Sequence, residues 1–248
     1  MVEPPATHDP LQLTLHQSPQ GYRFALETFL LADFVPVTAT DPLIDLGTGC
    51  GVVALLLARR LPHVRLVGLE LQRSLAVLAQ QNVICNSLQH RISIVQGDIR
   101  QVPSLFPSGM FGTVVCNPPY RVVGNGRLNP NPEKAIARHE LAVTLSQLVQ
   151  AAQHLLCRRG RLVMVYHPSR LSELCAQLET AHLRPRHLRL VHATPQAPAS
   201  IALVEAIRDS RDALTVLPPL WVYEASGGYT AEMQAIFQGR AVAIRKAP

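Results

Sequence analysis

No apolar run in this 248-residue chain reaches the twenty or so residues needed to span a bilayer. Its first ten residues carry prolines and acids where a signal peptide has a basic end and an apolar core. The cytoplasm is therefore the expected compartment, and no membrane is expected as a partner. Five cysteines, at 50, 85, 116, 157 and 175, never come closer than 18 positions and form no Cys-x-x-Cys pair. That argues against structural zinc and against a disulfide framework, and it fits a reducing compartment. No metal-ligand pair or Ser-His-Asp spacing asks for metal or covalent catalysis, and there is no internal repeat or low-complexity segment. What the chain does have is a 48% hydrophobic content, enough at this length for one sizeable core. Its formal charge of +6 and pI near 9.4 fit a polyanionic partner such as RNA or DNA.

The apolar pattern divides the chain. Residues 1–20 lack steady periodicity and hold four prolines, so they read as a mobile N-terminal arm, with a short strand at 11–16. From Gly21 to Phe34 apolar residues fall three and four apart, predicting a helix that starts near Glu27 and leaves Tyr22, Arg23, Glu27 and Thr28 where they can face a ligand. From Pro42 strands and helices alternate: strands at 43–46, 64–69, 92–96, 113–116 and 162–166, and helices at 52–60, 74–86, 135–156 and 171–180. Residues 121–133 read as a long loop. Strands at 185–191 and 201–207 follow with no helix between them. Repeated strand-helix-strand units give a mostly parallel α/β sheet of seven strands, with helices on both faces and an antiparallel hairpin at one edge. The main domain is expected over 21–210, and 211–248 forms a C-terminal tail packing on it, with an aromatic strand-like segment at 220–223 and a short helix from Thr230.

The chemistry gathers at strand ends. Asp45-Leu46-Gly47-Thr48-Gly49-Cys50-Gly51 lies between a strand and a helix, where bare backbone and a helix N-terminus approach a ligand closely. Its third glycine comes one residue too early for the dinucleotide fingerprint, which argues against NAD. Asp45 would repel a pyrophosphate but suits the ammonium of an amino acid. Glu70 ends the second strand, where an acid accepts both hydroxyls of a ribose, and Asp98 follows the third, where it accepts from an adenine amine. After the fourth strand comes Asn117-Pro118-Pro119-Tyr120. Proline donates no backbone hydrogen bond, so this stretch ends the strand and leaves carbonyls and an amide oxygen to accept from a planar amine, beside an aromatic ring. All four sit where open α/β sheets bind ligands, at the carboxyl ends of successive strands.

This arrangement resembles the Rossmann-like class I S-adenosylmethionine methyltransferases over roughly residues 21–207. Within them, Gly21-Tyr22-Arg23-Phe24, Ala137-Arg138-His139-Glu140, Leu203-Val204-Glu205-Ala206, Pro218-Pro219-Leu220 and Tyr229-Thr230 look like the bacterial tRNA(Val) adenine-N(6)-methyltransferases, the TrmN6 family. The one departure is Glu27, where the family pattern has aspartate. The resemblance implies S-adenosylmethionine as cofactor, held by Arg23, Thr28, Asp45, Gly47, Thr48, Gly49, Gly51, Glu70, Leu71, Asp98, Ile99 and Asn117. It implies catalysis by Asn117, Pro118, Pro119 and Tyr120, and tRNA as partner, methylated on the adenine that follows the anticodon. No metal is implied. Oligomeric state is not given by the sequence.

Hydrogen bonds from the amine to the Asn117 oxygen and the Pro118 carbonyl favour a pyramidal nitrogen and aim its lone pair, while Tyr120 stacks on the base. The base has to leave its stack to enter, which favours an anticodon loop or a single strand. Arg121, Arg127, Lys134 and Arg138 flank the tetrapeptide and are placed to meet an RNA backbone. Arg184 and Arg186 fall on one face of a predicted strand, though Arg189 breaks its phase, and form a second candidate phosphate strip. Arg158, Arg159 and Arg161 make a further basic cluster. The same chemistry on ribosomal RNA guanine, DNA adenine or a release-factor glutamine amide stays open, as does a non-catalytic RNA-binding protein on this fold. A DNA enzyme's separate recognition domain finds no spare length in the chain, and the release-factor enzymes' helical N-terminal domain finds none in residues 1–20.

Overall fold

The alternation from Pro42 onward does build one sheet. The computed structural model describes residues 13–17, 26–118 and 143–239. Among these, nine strands pair: β1 Leu43–Leu46, β2 Leu66–Glu70, β3 Ile92–Gln96, β4 Phe111–Cys116, β5 Leu156–Tyr166, β6 Leu183–His192, β7 Ala199–Arg208, β8 Thr215–Val216 and β9 Leu220–Trp221. Their order is β3-β2-β1-β4-β5-β7-β6-β8, with β9 also on β6. Strands β1 to β5 are parallel, and β7 runs antiparallel to both β5 and β6. The expected antiparallel edge hairpin is thus β6–β7. The count of seven is exceeded because the chain after β7 folds back along β6 and adds two short parallel strands to its outer edge. Leu220 is buried in doing so.

β1 and β4 are buried along their whole length, as central parallel strands covered on both faces must be. One apolar layer joins the sheet to α1 Leu26–Phe34, α2 Val52–Arg60, α3 Arg73–Cys85 and, from the tail, a helix at Ala231–Phe237. The opposite layer is filled by α4 Val102–Leu105, α5 Leu145–Leu155 and α6 Leu171–Thr180; the tail helix is α7. α7 opens on Thr230, whose hydroxyl caps the Met233 N–H.

Several boundaries differ from expectation for physical reasons. Among the described residues the helix expected over 135–156 starts only at Leu145, set by a capping box in which Thr144 and Gln147 exchange bonds. It gives way directly to β5 at Leu156, so residues 156–161 are strand and not helix end and turn. The register shift against β4 falls between Phe111 and Thr113, and a Cβ on Gly160 would meet the Cys157 carbonyl at 2.9 Å. In β6 the shift lies between Pro185 and His187, with Arg186 as the extra residue. That insertion inverts the alternation beyond it, so Arg189, five residues after Arg184 and out of phase with it by plain alternation, comes onto the same face, opposite Leu203 as Arg184 is opposite Ile207.

Residues 13–17 form no strand. Leu13 is buried, and Asn82 of α3 and Asn86 at the C-terminal cap of that helix hold the backbone: Asn82 Oδ1 accepts from His16 N at 2.7 Å and Asn86 Oδ1 from Thr14 N at 3.0 Å. The mobile arm expected over 1–20 is therefore docked at 13–17. No helix among the described residues is long and apolar enough to cross a membrane.

Candidate active site

The strand order turns a sequence of residues into a row. Asp45, Glu70, Asp98 and Asn117 come in that order along the chain, but β3-β2-β1-β4 sets them side by side as Asp98, Glu70, Asp45, Asn117 at the carboxyl edge. The glycine loop between β1 and α2 therefore has the acid of β2 on one side and Asn117 on the other.

Asp45 lies in β1 opposite Gly68 and Val115 and is 1% exposed. Thr48, three residues on, donates its hydroxyl to Asp45 Oδ2 at 2.7 Å. Burial pushes the Asp45 carboxyl up to about 7, against the pull of the Thr48 hydroxyl and with a smaller push from Glu70. Gly68 makes room for this pair: a Cβ there would lie 2.8 Å from Thr48 Cγ2 and 2.9 Å from Ile94 Cδ1. The neighbouring Cys116 thiol donates to the Leu46 carbonyl, and burial next to Asp45 raises it well above the ordinary thiol range.

Gly47 and Thr48 both donate to the Leu69 carbonyl, so the loop is pinned to the end of β2. At Gly47 and Gly49 an added Cβ would meet no atom within 4 Å, so open space lies over the loop. Gly51 is different: its φ of 87° suits glycine, and a Cβ there would sit 3.3 Å from Ala79 Cβ of α3. Glu70 is buried at the tip of β2. Its Oε2 accepts from Gly49 N and its Oε1 from Gln72 N, each at 2.9 Å. Burial raises its carboxyl, and backbone donors from Gln72, Gly49 and Leu71 oppose the rise. A carboxylate has about four acceptor positions, so at least one remains for a ligand hydroxyl. Leu71 follows it, half-buried.

Asp98 caps the single helical turn that begins at Ile99, accepting from Arg100 N at 2.8 Å, and it also binds the Arg100 guanidinium at 2.5 Å. The arginine holds its carboxyl below the ordinary range. Asn117 and Pro118 follow buried β4 and are half-buried. Thr28 is buried in α1. Arg23, Pro119, Tyr120, Arg121, Arg127, Lys134 and Arg138 lie outside the described residues.

The basic strip is not brought together. Arg186 Nη1 donates to the Ala213 carbonyl at 2.8 Å, and Arg161 pairs with buried Glu205 at 2.7 Å, where His187 is the second partner. Arg184 is exposed. Sequence reasoning missed Asn82, fully buried in α3. Its Nδ2 donates to the carbonyls of Cys50 in the glycine loop, at 2.9 Å, and of His16, at 3.0 Å. The signal was there: position 82 falls on the helix face carrying Ala76, Ala79 and Val83, where a polar residue needs a partner.

The open loop, a buried carboxylate with no cation beside it among the described residues, and a ribose-type acid in one row fit S-adenosylmethionine. The methyltransferase small domain model matches residues 23–179. The tRNA1(Val) (adenine(37)-N6)-methyltransferase of Porphyromonas gingivalis (strain ATCC BAA-308 / W83) is 31% identical over 194 residues, covering 76% of this chain and 75% of that one. The enzyme of the same name from Photobacterium profundum is 27% identical over 218 residues, covering 87% and 90%. Among solved structures, a predicted O-methyltransferase from Agrobacterium tumefaciens superposes with a TM-score of 0.71 at 23% identity, over 89% of this chain and 100% of that one, which shows the shared fold. With the family model spanning more than half of its length and the Porphyromonas relative matching three quarters of it, the chain belongs to the S-adenosylmethionine-dependent methyltransferases of the methyltransferase small domain family.

Proposed function

We propose that the protein methylates the exocyclic amine of an adenine in the anticodon loop of tRNA. The observation that carries this reading is the seat of Asn117 and Pro118 at the end of β4, next to the glycine loop of β1. The names of the Porphyromonas and Photobacterium relatives support adenine 37 of a valine tRNA as the target. A tRNA substrate implies work in the cytoplasm.

S-adenosylmethionine supplies an electrophilic methyl group on a cationic sulfur that leaves as a neutral thioether. Asp45 holds the ammonium of the cofactor's amino acid end, and Gly47, Thr48, Gly49 and Gly51 let it approach the backbone. Arg23 and Thr28 close over the same end. Glu70, with Leu71 beside it, accepts the ribose hydroxyls, and Asp98 with Ile99 receives the adenine. Asn117 accepts one amine hydrogen through its side-chain oxygen, and the Pro118 carbonyl accepts the other. Both bonds favour the pyramidal, reactive form of an amine whose lone pair is otherwise spread into the ring. Pro119 fixes the turn and Tyr120 stacks on the flipped base. The proton is shed after transfer.

Arg121, Arg127, Lys134 and Arg138 meet the RNA backbone near the target. Arg184 supports the RNA farther away, and the backbone contacts of Arg186 assign that side chain to fastening the tail. The unit that does this work is the domain over 21–210, and the tail over 211–248 serves it by covering the β6 edge and packing α7 against α1.

The test is transfer of labelled methyl from the cofactor to a tRNA transcript, with the position mapped by nuclease digestion and mass spectrometry. Methyl appearing on guanine, on DNA or on a glutamine amide, with none on tRNA adenine, overturns the substrate. Asn117→Ala is expected to abolish transfer and leave cofactor affinity within about twofold; full activity would refute the amine-holding role.

A further inference from the structure

The edge of the sheet opposite the cofactor row carries a second concave surface. β5 and β6 begin there and β7 ends there, and the bulged start of β5 with the turns before β6 and after β7 surrounds a concavity of about 780 Å³. Each of the three segments holds a non-glycine residue in the left-handed region: Arg159 at φ 63°, His182 at 56° and Asp209 at 54°. Asp209 N donates to the His182 carbonyl at 2.9 Å, which fastens two of the turns together. The surface is therefore built from backbone that is fixed in place and does not depend on the long side chains it displays.

Charge in the concavity is unevenly satisfied. Asp212 accepts from the Arg159 guanidinium at 3.2 Å and from the Ser210 hydroxyl at 2.8 Å, and Asp209 faces Arg208 at 3.7 Å. The hydroxyl and the guanidinium hold the Asp212 carboxyl below its ordinary range. Of the lining acids, that leaves Glu179. Against it stand Arg158, Arg184 and Arg211, all exposed and all without a salt bridge or side-chain hydrogen bond among the described residues. Arginine presents a planar fork of donors matched to phosphate oxygens. Three such forks, from the start of β5, the start of β6 and the chain after β7, make an anion cradle with excess positive charge.

We propose that this concavity binds phosphodiester groups of the substrate RNA remote from the reacting base. The inference rests on the tRNA reading above. Along β5 the concavity lies roughly 25 Å from the carboxyl edge where Asn117 sits, so an RNA engaging both runs along the flank of the molecule. It joins Arg184 with Arg158 and Arg211, and not with Arg186, as the phosphate-reading set.

Neutralising a phosphate releases counterions, so each contact adds about 0.7–0.9 to the slope of log affinity against log salt. The test titrates a tRNA transcript into the full chain, its Arg158→Ala/Arg184→Ala/Arg211→Ala variant and the matching triple lysine variant, from about 50 to 200 mM salt. The alanine variant is expected to lose roughly 2 in slope and to bind RNA roughly tenfold or more weakly at the low end, with unchanged cofactor affinity. The lysine variant keeps most of the slope. Equal slopes for the parent and alanine variants overturn the proposal. Calorimetry with inorganic phosphate separates the sources: phosphate binding lost in the alanine variant, with the RNA slope unchanged, assigns the cradle to a free anion and likewise overturns it. The slope is read from binding alone. A parent that binds RNA but methylates no tRNA refutes the substrate reading and leaves this comparison decisive.

Discussion

Replacing Asp45 by asparagine is expected to have opposite effects on stability above and below neutral pH, measured on the cofactor-free protein. The Asp45 carboxyl is raised from 3.8 to about 7 by burial, with no cation beside it among the described residues to offset its charge. A raised carboxylate means that the folded state binds a proton the unfolded state has lost, from about pH 4 to about pH 7. Stability therefore falls as pH rises through that window. About three pH units at ~1.4 kcal/mol each amount to ~4 kcal/mol of destabilisation fully present by pH 8. Asparagine never charges and keeps an oxygen for the Thr48 hydroxyl, but its buried NH₂ lacks a partner at a cost of ~1–3 kcal/mol. The balance makes Asp45→Asn more stable than the parent by ~1–3 kcal/mol at pH 8 and less stable by ~0.5–2.5 kcal/mol at pH 4, where the parent has lost almost none of its stability. At roughly 2–4 °C per kcal/mol, thermal melts at the two pH values should differ in sign by several degrees. Cofactor binding should run the other way. If Asp45 must be ionised to hold an ammonium, parental affinity falls roughly tenfold from pH 8 to pH 6, and the variant binds weakly at both. A melting difference between variant and parent that stays constant from pH 4 to pH 8 would refute the argument.

Other perturbations probe what surrounds the site. Asn82→Ala removes three hydrogen bonds linking α3, residue 16 and the glycine loop, worth ~2–4 kcal/mol together, so melting should drop by roughly 5–15 °C and cofactor affinity several-fold; parental melting would contradict the linking role. Gly68→Ala drives a methyl against Thr48 and Ile94, and overpacking of ~1–3 kcal/mol should appear in urea unfolding together with weaker cofactor binding, since Thr48 is the partner of Asp45. Glu205→Gln leaves the Arg161 guanidinium in a half-closed site without its counter-charge, and a loss of ~3 kcal/mol by chemical denaturation is expected, with cofactor affinity unchanged.

How much of this was legible beforehand follows from what each signal measures. Parallel strands buried on both faces read as continuous apolar runs, so β1 was located to the residue and β2 and β4 to within two; the edge strand β3, buried only at Ile92, was also located to the residue. The β5 boundary failed because it depends on a bulge, an event of pairing with β4 that leaves only Gly160 as a local trace. The broken alternation of Arg184, Arg186 and Arg189 was visible in the sequence, but without the β7 partner nothing assigned the extra residue to Arg186. The short β8 strand escaped notice because its pairing comes from an edge that accepts it and not from its own pattern, whereas β9 falls in the strand-like segment read at 220–223 and only its place on the β6 edge was new.

The site itself was legible for a different reason. In a parallel sheet every strand's carboxyl end lies at one edge, so any polar residue immediately after an apolar run is delivered there whatever the order of strands. That rule brings Asp45, Glu70, Asp98 and Asn117 to one edge, but it does not make them neighbours. Adjacency comes from β1 standing between β2 and β4, which makes the chain reverse direction across the sheet after β3. The reversal sets Asn117 beside the loop after Asp45, with Glu70 and Asp98 on the far side. With Asp45 taken as the seat of the ammonium and Asp98 as that of the adenine, a cofactor stretched along that row would have its amino acid end nearest Asn117 and its adenine end farthest away. Transfer chemistry at Asn117 therefore requires the reactive group at the amino acid end. A methyl on the sulfur next to that end meets this requirement, whereas a group carried at the adenine end would not.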